Sequence, residues 1–155
     1  MNWDAIGAIG EIFGALAVFT SLVYLAIQIR TQNRESRVAS VHEINEAYRN
    51  TISVLQGPEM ADLFVEAIDH FDELPPSKRI RFVVFMLSAF RIFEDGYFQW
   101  RAKRLENEAW ESMLAPLLDF LDAEGPSKVW ELRKHQFRPD FVDYIDGLER
   151  GTYAI

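Results

Sequence analysis

Glu94 and Asp95 stand next to each other in an apolar stretch, with Arg91 three and four residues before them. Paired carboxylates in apolar surroundings acquire unequal proton affinities, so one can act as acid while the other acts as base. Arg91 competes with that use. At helical spacings of three and four it can neutralise either carboxylate, and such an ion pair orients packed helices. Metal chemistry is a second possibility, because helical bundles hold metals through Glu-x-x-His pairs. None of His42, His70 and His135 has a glutamate three residues earlier. Glu66 with His70 and Glu131 with His135 are four apart, which suits surface hydrogen bonds. Asp69, Asp72 and Glu73 lack the glycine and ordered spacing of a calcium loop and read as a solvated turn. The chain has no cysteine, so thiolate ligands, disulfides and thiol nucleophiles are excluded. It also has no glycine-rich phosphate loop and no serine-centred elbow. The sequence therefore predicts no catalytic residue, no metal ligand and no cofactor, and a protein that is not an enzyme.

A different chemistry is written in residues 5 to 29, a run of 25 with Glu11 as its single charge. A helix rises about 1.5 Å per residue, so this run is long enough for a hydrocarbon layer of about 30 Å. No basic residue precedes it, which separates it from a cleaved secretory signal. The first 29 residues contain no Lys or Arg, and Arg30, Arg34 and Arg37 follow within eight positions. The positive-inside rule then places the N-terminus outside and the C-terminal bulk in the cytoplasm. Trp3 is expected at the outer headgroups, and Arg30, Arg34 and Arg37 against anionic headgroups on the inner side.

Gly7, Gly10, Gly14, Ala17 and Ser21 recur at spacings of three and four and fall in one stripe of the helix, with Gly10 and Gly14 forming GxxxG. Lipid supplies no hydrophobic drive between helices, so close backbone packing along such a stripe becomes a source of association. The expectation is a homo-oligomer with this stripe as its interface. Glu11 falls outside the uncharged stretch from Ile12 to Ile29, whose 18 residues nearly fill the hydrocarbon by themselves, so it belongs near the outer headgroups. In an oligomer, Glu11, Gly14, Val18, Ser21, Leu25 and Gln28 would share a face, and a ring of them could line a cation pore. A stripe that binds a different helix would instead make the chain an accessory subunit of a larger membrane complex.

The remaining residues suit one helical domain. The chain has 155 residues and a formal net charge of -8, and residues 106 to 150 carry eleven acidic against five basic side chains. An acidic surface repels phosphate, so nucleic acid is not an expected partner. Between Thr31 and Gln56 there is no Gly or Pro, and Val38, Val41, Ile44, Tyr48, Ile52 and Leu55 keep helical spacing, which predicts a stalk helix over 31–56 ending at Gly57 and Pro58. A short helix should follow from Glu59 to Phe71, with Leu63, Phe64, Ala67, Ile68 and Phe71 inward. Pro75 and Pro76 stop it, and Ser77 is placed to cap the next.

Arg79 to Trp100 is the most apolar later stretch, but its uncharged core, Phe82 to Phe90, has nine residues, too few to cross a bilayer. It reads as the central helix of a bundle, with Phe90, Phe93, Tyr97, Phe98 and Trp100 as core. Arg101, Lys103 and Arg104 then suit a solvated helix C-terminus. Trp110 to Leu121 predicts another helix, opened at Pro116 and ended by Gly125 and Pro126. Ser127 would start the next, and a last one over Phe141 to Leu148 would end at Gly151. The fold class is all-α: an anchor over 1–30, then a cytoplasmic helical bundle over 31–155 that includes the stalk.

The segments IGEIFGALAVFTSLVYLAIQIRTQNR, RIFEDGYFQWRAKRLENEAW and KVWELRKHQFRPDFVDYI together resemble a widespread group of small, uncharacterised bacterial proteins with one N-terminal anchor and a helical cytoplasmic region. The resemblance implies a bacterial inner-membrane setting. It assigns no catalytic role to any residue. The reading of the sequence is thus a non-enzymatic, single-pass, self-associating assembly or interaction module whose partners are membrane lipid, its own copies and possible other membrane proteins.

Overall fold

The computed structural model describes residues 3–152, and the side chains of these except 3–10, 34 and 37. Every regular element among them is helical, as the spacing of apolar residues requires. They are α1 (Trp3–Ser53), α2 (Pro58–His70), α3 (Pro76–Arg101), α4 (Asn107–Asp122), α5 (Glu124–Arg133) and α6 (Pro139–Asp146). Single 3-10 turns follow α1, α2 and α5. The chain divides into two compact units, the first ending at Ala39 and the second beginning at Ser40. α1 contributes residues to both.

The second unit is built around α3. Phe82, Met86, Phe90 and Phe93 lie one or two turns apart along it and are buried, as are Leu63, Ala67 and Ile68 of α2, Trp110 and Leu117 of α4, Trp130 of α5 and Phe141 of α6. Aromatic edges set the contacts. Phe90 meets Trp130 edge to face at 5.3 Å between ring centroids, and Trp100 stacks on Trp110 at 5.8 Å. Such pairs add about 0.5–1.5 kcal/mol each beyond the area they bury. From α1, Ile44 is buried while Val41 and Tyr48 pack against this core, Tyr48 with its ring edge on Phe93. Val38 does not continue that stripe. It is exposed and belongs to the first unit, so the inward face of α1 begins at Ser40 and not at Val38.

Helix ends differ from the expected ones in three places. Pro76, not Ser77, opens α3: a proline at the first helical position gives up an N–H that would have no partner there anyway. The break between α4 and α5 is Ala123, in extended conformation, while Gly125 and Pro126 sit inside the first turn of α5. Gly125 is there because of packing. A Cβ on it would lie 2.0 Å from the carbonyl oxygen of Ala67, so only glycine lets α5 approach α2 this closely. α6 ends at Gly147, four residues before Gly151, whose N–H instead donates to the carbonyl of Leu118 at 3.2 Å.

Candidate functional site

One helix among the described residues is long and apolar enough to cross a membrane, and none of its most apolar window is buried. Its composition explains the helix: Leu, Ala, Ile, Val and Phe fill 12–29 with no proline, and α-helical bonding keeps each backbone N–H and C=O paired within the segment. Its exposure is the unusual part. Ile12, Phe13, Val18 and Phe19 are each more than 60% exposed, and Leu16, Leu22, Leu25 and Ile27 more than half. Apolar patches of this extent on a folded chain mark a surface that meets lipid or another apolar surface.

Polar side chains on this stretch bond within the helix. Thr20 and Ser21 donate their hydroxyls to the carbonyls of Leu16 and Ala17, each at 2.8 Å, and Thr31 donates to Ile27 at 3.1 Å. Gln28 donates its amide to the Tyr24 hydroxyl at 3.0 Å. A hydroxyl that returns its proton to the preceding turn removes most of the cost of meeting hydrocarbon. The segment therefore presents apolar surface in nearly every direction, with the hydroxyls of Thr20, Ser21 and Thr31 turned back onto its own carbonyls.

Of the residues expected at an oligomer interface, Gly14, Ala17 and Ser21 fall on this surface. Gly14 meets nothing: a Cβ built on it has no atom within 4 Å, so no contact inside the chain requires glycine there. Ala17 and Ser21 are exposed beside it. Gly7 and Gly10, with Trp3, Arg34 and Arg37, lie outside the residues whose side chains are described. Of the suggested pore-lining residues, Glu11, Val18 and Leu25 are exposed, and Gln28 is half-buried against Tyr24; Arg30 is exposed at the inner end of the run.

In the second unit the carboxylates of the sequence reading resolve into structural bonds. Glu94 is 6% exposed. It accepts from Arg91 at 2.6 Å through one oxygen and from the backbone N–H of Arg138 at 2.8 Å through the other. Arg138 precedes the first turn of α6, so Glu94 ties α3 to the start of that helix. Arg91 also donates to the carbonyl of Gln136 at 2.8 Å and lies 4.3 Å over the Phe137 ring. Asp95 is exposed. Desolvation raises its carboxyl above the ordinary value, Glu94 and Glu43 add to the rise, and Arg91 opposes it. Pairing with an acid–base partner would require both carboxylates to be accessible to a substrate, and Glu94 is enclosed.

The histidines do not pair as spacing suggested. Glu66 binds Lys78 at 2.5 Å and Glu131 binds Lys134 at 2.8 Å, while His70 lies 4.0 Å from Glu73. Asp72, read as part of a solvated turn, reaches Lys128 of α5 at 2.5 Å. Among the described residues no three His, Asp or Glu side chains gather where a metal ion could be held. Asp146 is a constellation the sequence reading missed. Burial alone would raise its carboxyl, but bonds from Trp130 Nε1 at 2.8 Å and Lys134 at 2.9 Å outweigh it and hold the group below the usual carboxylate value. Its partner Trp130 is sixteen residues away, beyond the reach of helical spacing rules. Comparison of the chain with family models, with curated proteins and with solved structures finds no match.

Proposed function

We propose that the chain is a non-enzymatic single-pass membrane protein whose first helix anchors and self-associates, and whose helical second unit serves as an assembly or interaction module. One observation carries this reading: 18 consecutive uncharged residues, Ile12 to Ile29, whose large apolar side chains are exposed and whose hydroxyls bond within their own helix. Burying such side chains stabilises by about 1.5–3 kcal/mol each, so water is the wrong solvent for this face. A bilayer removes that cost. The basic residues after the run support an orientation with the second unit on the cytoplasmic side of a bacterial inner membrane.

Self-association rests on the small-residue stripe and on Gly14, whose open surroundings leave close approach by another helix as the use for its missing side chain. Two experiments test the reading separately. Alkaline carbonate extraction of membranes should leave the protein in the pellet, and release into the soluble fraction would remove the anchor. The mass of the complex in mild detergent should exceed that of one 18.0 kDa chain and fall to it in Gly14→Leu. A Cβ at position 14 meets no atom of its own chain within 4 Å, and an unchanged thermal unfolding curve of the variant separates lost association from misfolding. A monomer in the unaltered protein would remove self-association while leaving the anchor standing.

A further inference from the structure

Within the second unit, the face of α3 turned away from the core is left open beside the end of α1. Ile80 and Val84 are one turn apart on α3 and more than half exposed, and Val54 after α1 is about half exposed. Together with Met60 and Phe85 they wall a groove of about 550 Å³. That volume is within the range of small-molecule sites, about 300–1,000 Å³, and the pattern of mostly apolar walls with a few polar groups is the one such sites share.

Among the described residues, the only charged one lining the groove is Arg81. Asn50, Thr51 and Ser88 add an amide and two hydroxyls, none of which repels an anion. The nearest carboxylate to Arg81 is Glu59 at 3.6 Å, and both side chains are largely in solvent, so this contact is long and holds the guanidinium weakly. A cation beside aliphatic walls, with Lys78 and Arg79 adding positive charge on the same turn of α3, suits an anionic head group joined to an apolar chain. We propose that this groove binds a single-chain anionic amphiphile of the long-chain carboxylate class, its chain on Val54, Ile80 and Val84 and its head group on Arg81. Arg81 would exchange the distant Glu59 for a closer, bidentate partner. The proposal does not depend on the membrane anchor, since every lining residue lies in the second unit.

The absence of cysteine gives a clean test. In the full chain held in phosphatidylcholine nanodiscs, Val84→Cys places one thiol in the groove and Val65→Cys one on an exposed site outside it. At mildly alkaline pH, dodecanoate should slow reaction of the first thiol with a water-soluble maleimide, saturably, and leave the second unaffected. Dodecanol and dodecyltrimethylammonium should protect far less. Arg81→Gln should raise the half-protecting dodecanoate concentration by roughly fivefold, the contribution of one partly exposed ion pair, and Glu59→Gln should lower it. Ile80→Cys repeats the measurement should Val84→Cys fold poorly. No protection, equal protection by the alcohol, or protection at both positions would overturn the proposal. Disulfide-linked dimers through the introduced thiol, with no effect of dodecanoate, would overturn it in favour of a second copy.

Discussion

The large apolar residues from Ile12 to Ile29 and those that form the core of the second unit have the same chemistry and opposite fates. In the first unit Phe13 and Phe19 are about two-thirds exposed; in the second Phe82, Phe90 and Phe141 are fully enclosed. The contrast shows what a helix does with its apolar residues when charges are absent or interleaved. From Ile12 to Ile29 they surround the helix and leave no polar face to turn toward water, whereas α2 alternates Leu63, Phe64, Ala67 and Ile68 with Asp62, Glu66 and Asp69 and closes on a core. One segment keeps its apolar side chains exposed, and the other encloses them in a core of its own.

Glycine gives the sharpest way to break this comparison. Gly125→Val should cost the second unit about 4 kcal/mol, because a backbone carbonyl at 2.0 Å cannot step aside, whereas Gly14→Val should leave thermal unfolding unchanged. A tolerated Gly125→Val would mean that α2 and α5 are not held this close. Charge gives the next largest effect. Leu22→Arg, in the middle of the uncharged run, should oppose membrane insertion by about 3 kcal/mol and increase carbonate-extractable protein, while Val65→Arg, exposed in the second unit, should change unfolding by no more than about 0.5 kcal/mol. Equal behaviour of the two would erase the difference between the units.

Two carboxylates sharpen the comparison through pH. Asp146→Ala strands the indole N–H of the fully buried Trp130 and should cost about 1–3 kcal/mol near neutral pH by thermal denaturation. Because the folded protein holds the Asp146 carboxyl below its ordinary value, its contribution is present above the unfolded pKa and lost as pH falls through the folded one. The difference between the parent and Asp146→Asn should therefore shrink toward acid. Asp95 has the opposite sign. Its raised carboxyl makes the folded protein bind the proton more tightly than the unfolded chain, so ionisation opposes folding as pH rises through and above the ordinary carboxylate range. Asp95→Asn should thus stabilise by up to about 0.5 kcal/mol at neutral pH, a small effect because the group is mostly solvated, and the gain should vanish in acid.

The inward faces of the second unit were legible in advance. Leu63, Phe64, Ala67, Ile68 and Phe71 are all buried, as are Phe90, Phe93 and Tyr97, because burial follows a period of three to four residues that local reading captures. Helix ends were less legible. Gly125 and Pro126 read as a terminator by their usual habits, yet the glycine serves a helix crossing and the proline fits the first turn of the next helix. That the first helix is long and apolar enough to cross a membrane was readable, since this needs only length, composition and the absence of charge. The groove on α3 was not: Ile80 and Val84 belong to the stretch read as the central helix of the bundle, yet both are more than half exposed.

Read alone, the residues give the helical class, the apolar first segment and the inward stripe of α2. These depend on residues within a few turns of one another, where backbone geometry fixes which side chains share a face. Only the tertiary structure decided that Glu94 meets the N–H of Arg138, that Asp146 receives the indole of Trp130, and that Gly125 lies against Ala67. Those contacts join residues 16 to 58 positions apart, and their geometry is set by how whole helices pack, a property that no local period encodes.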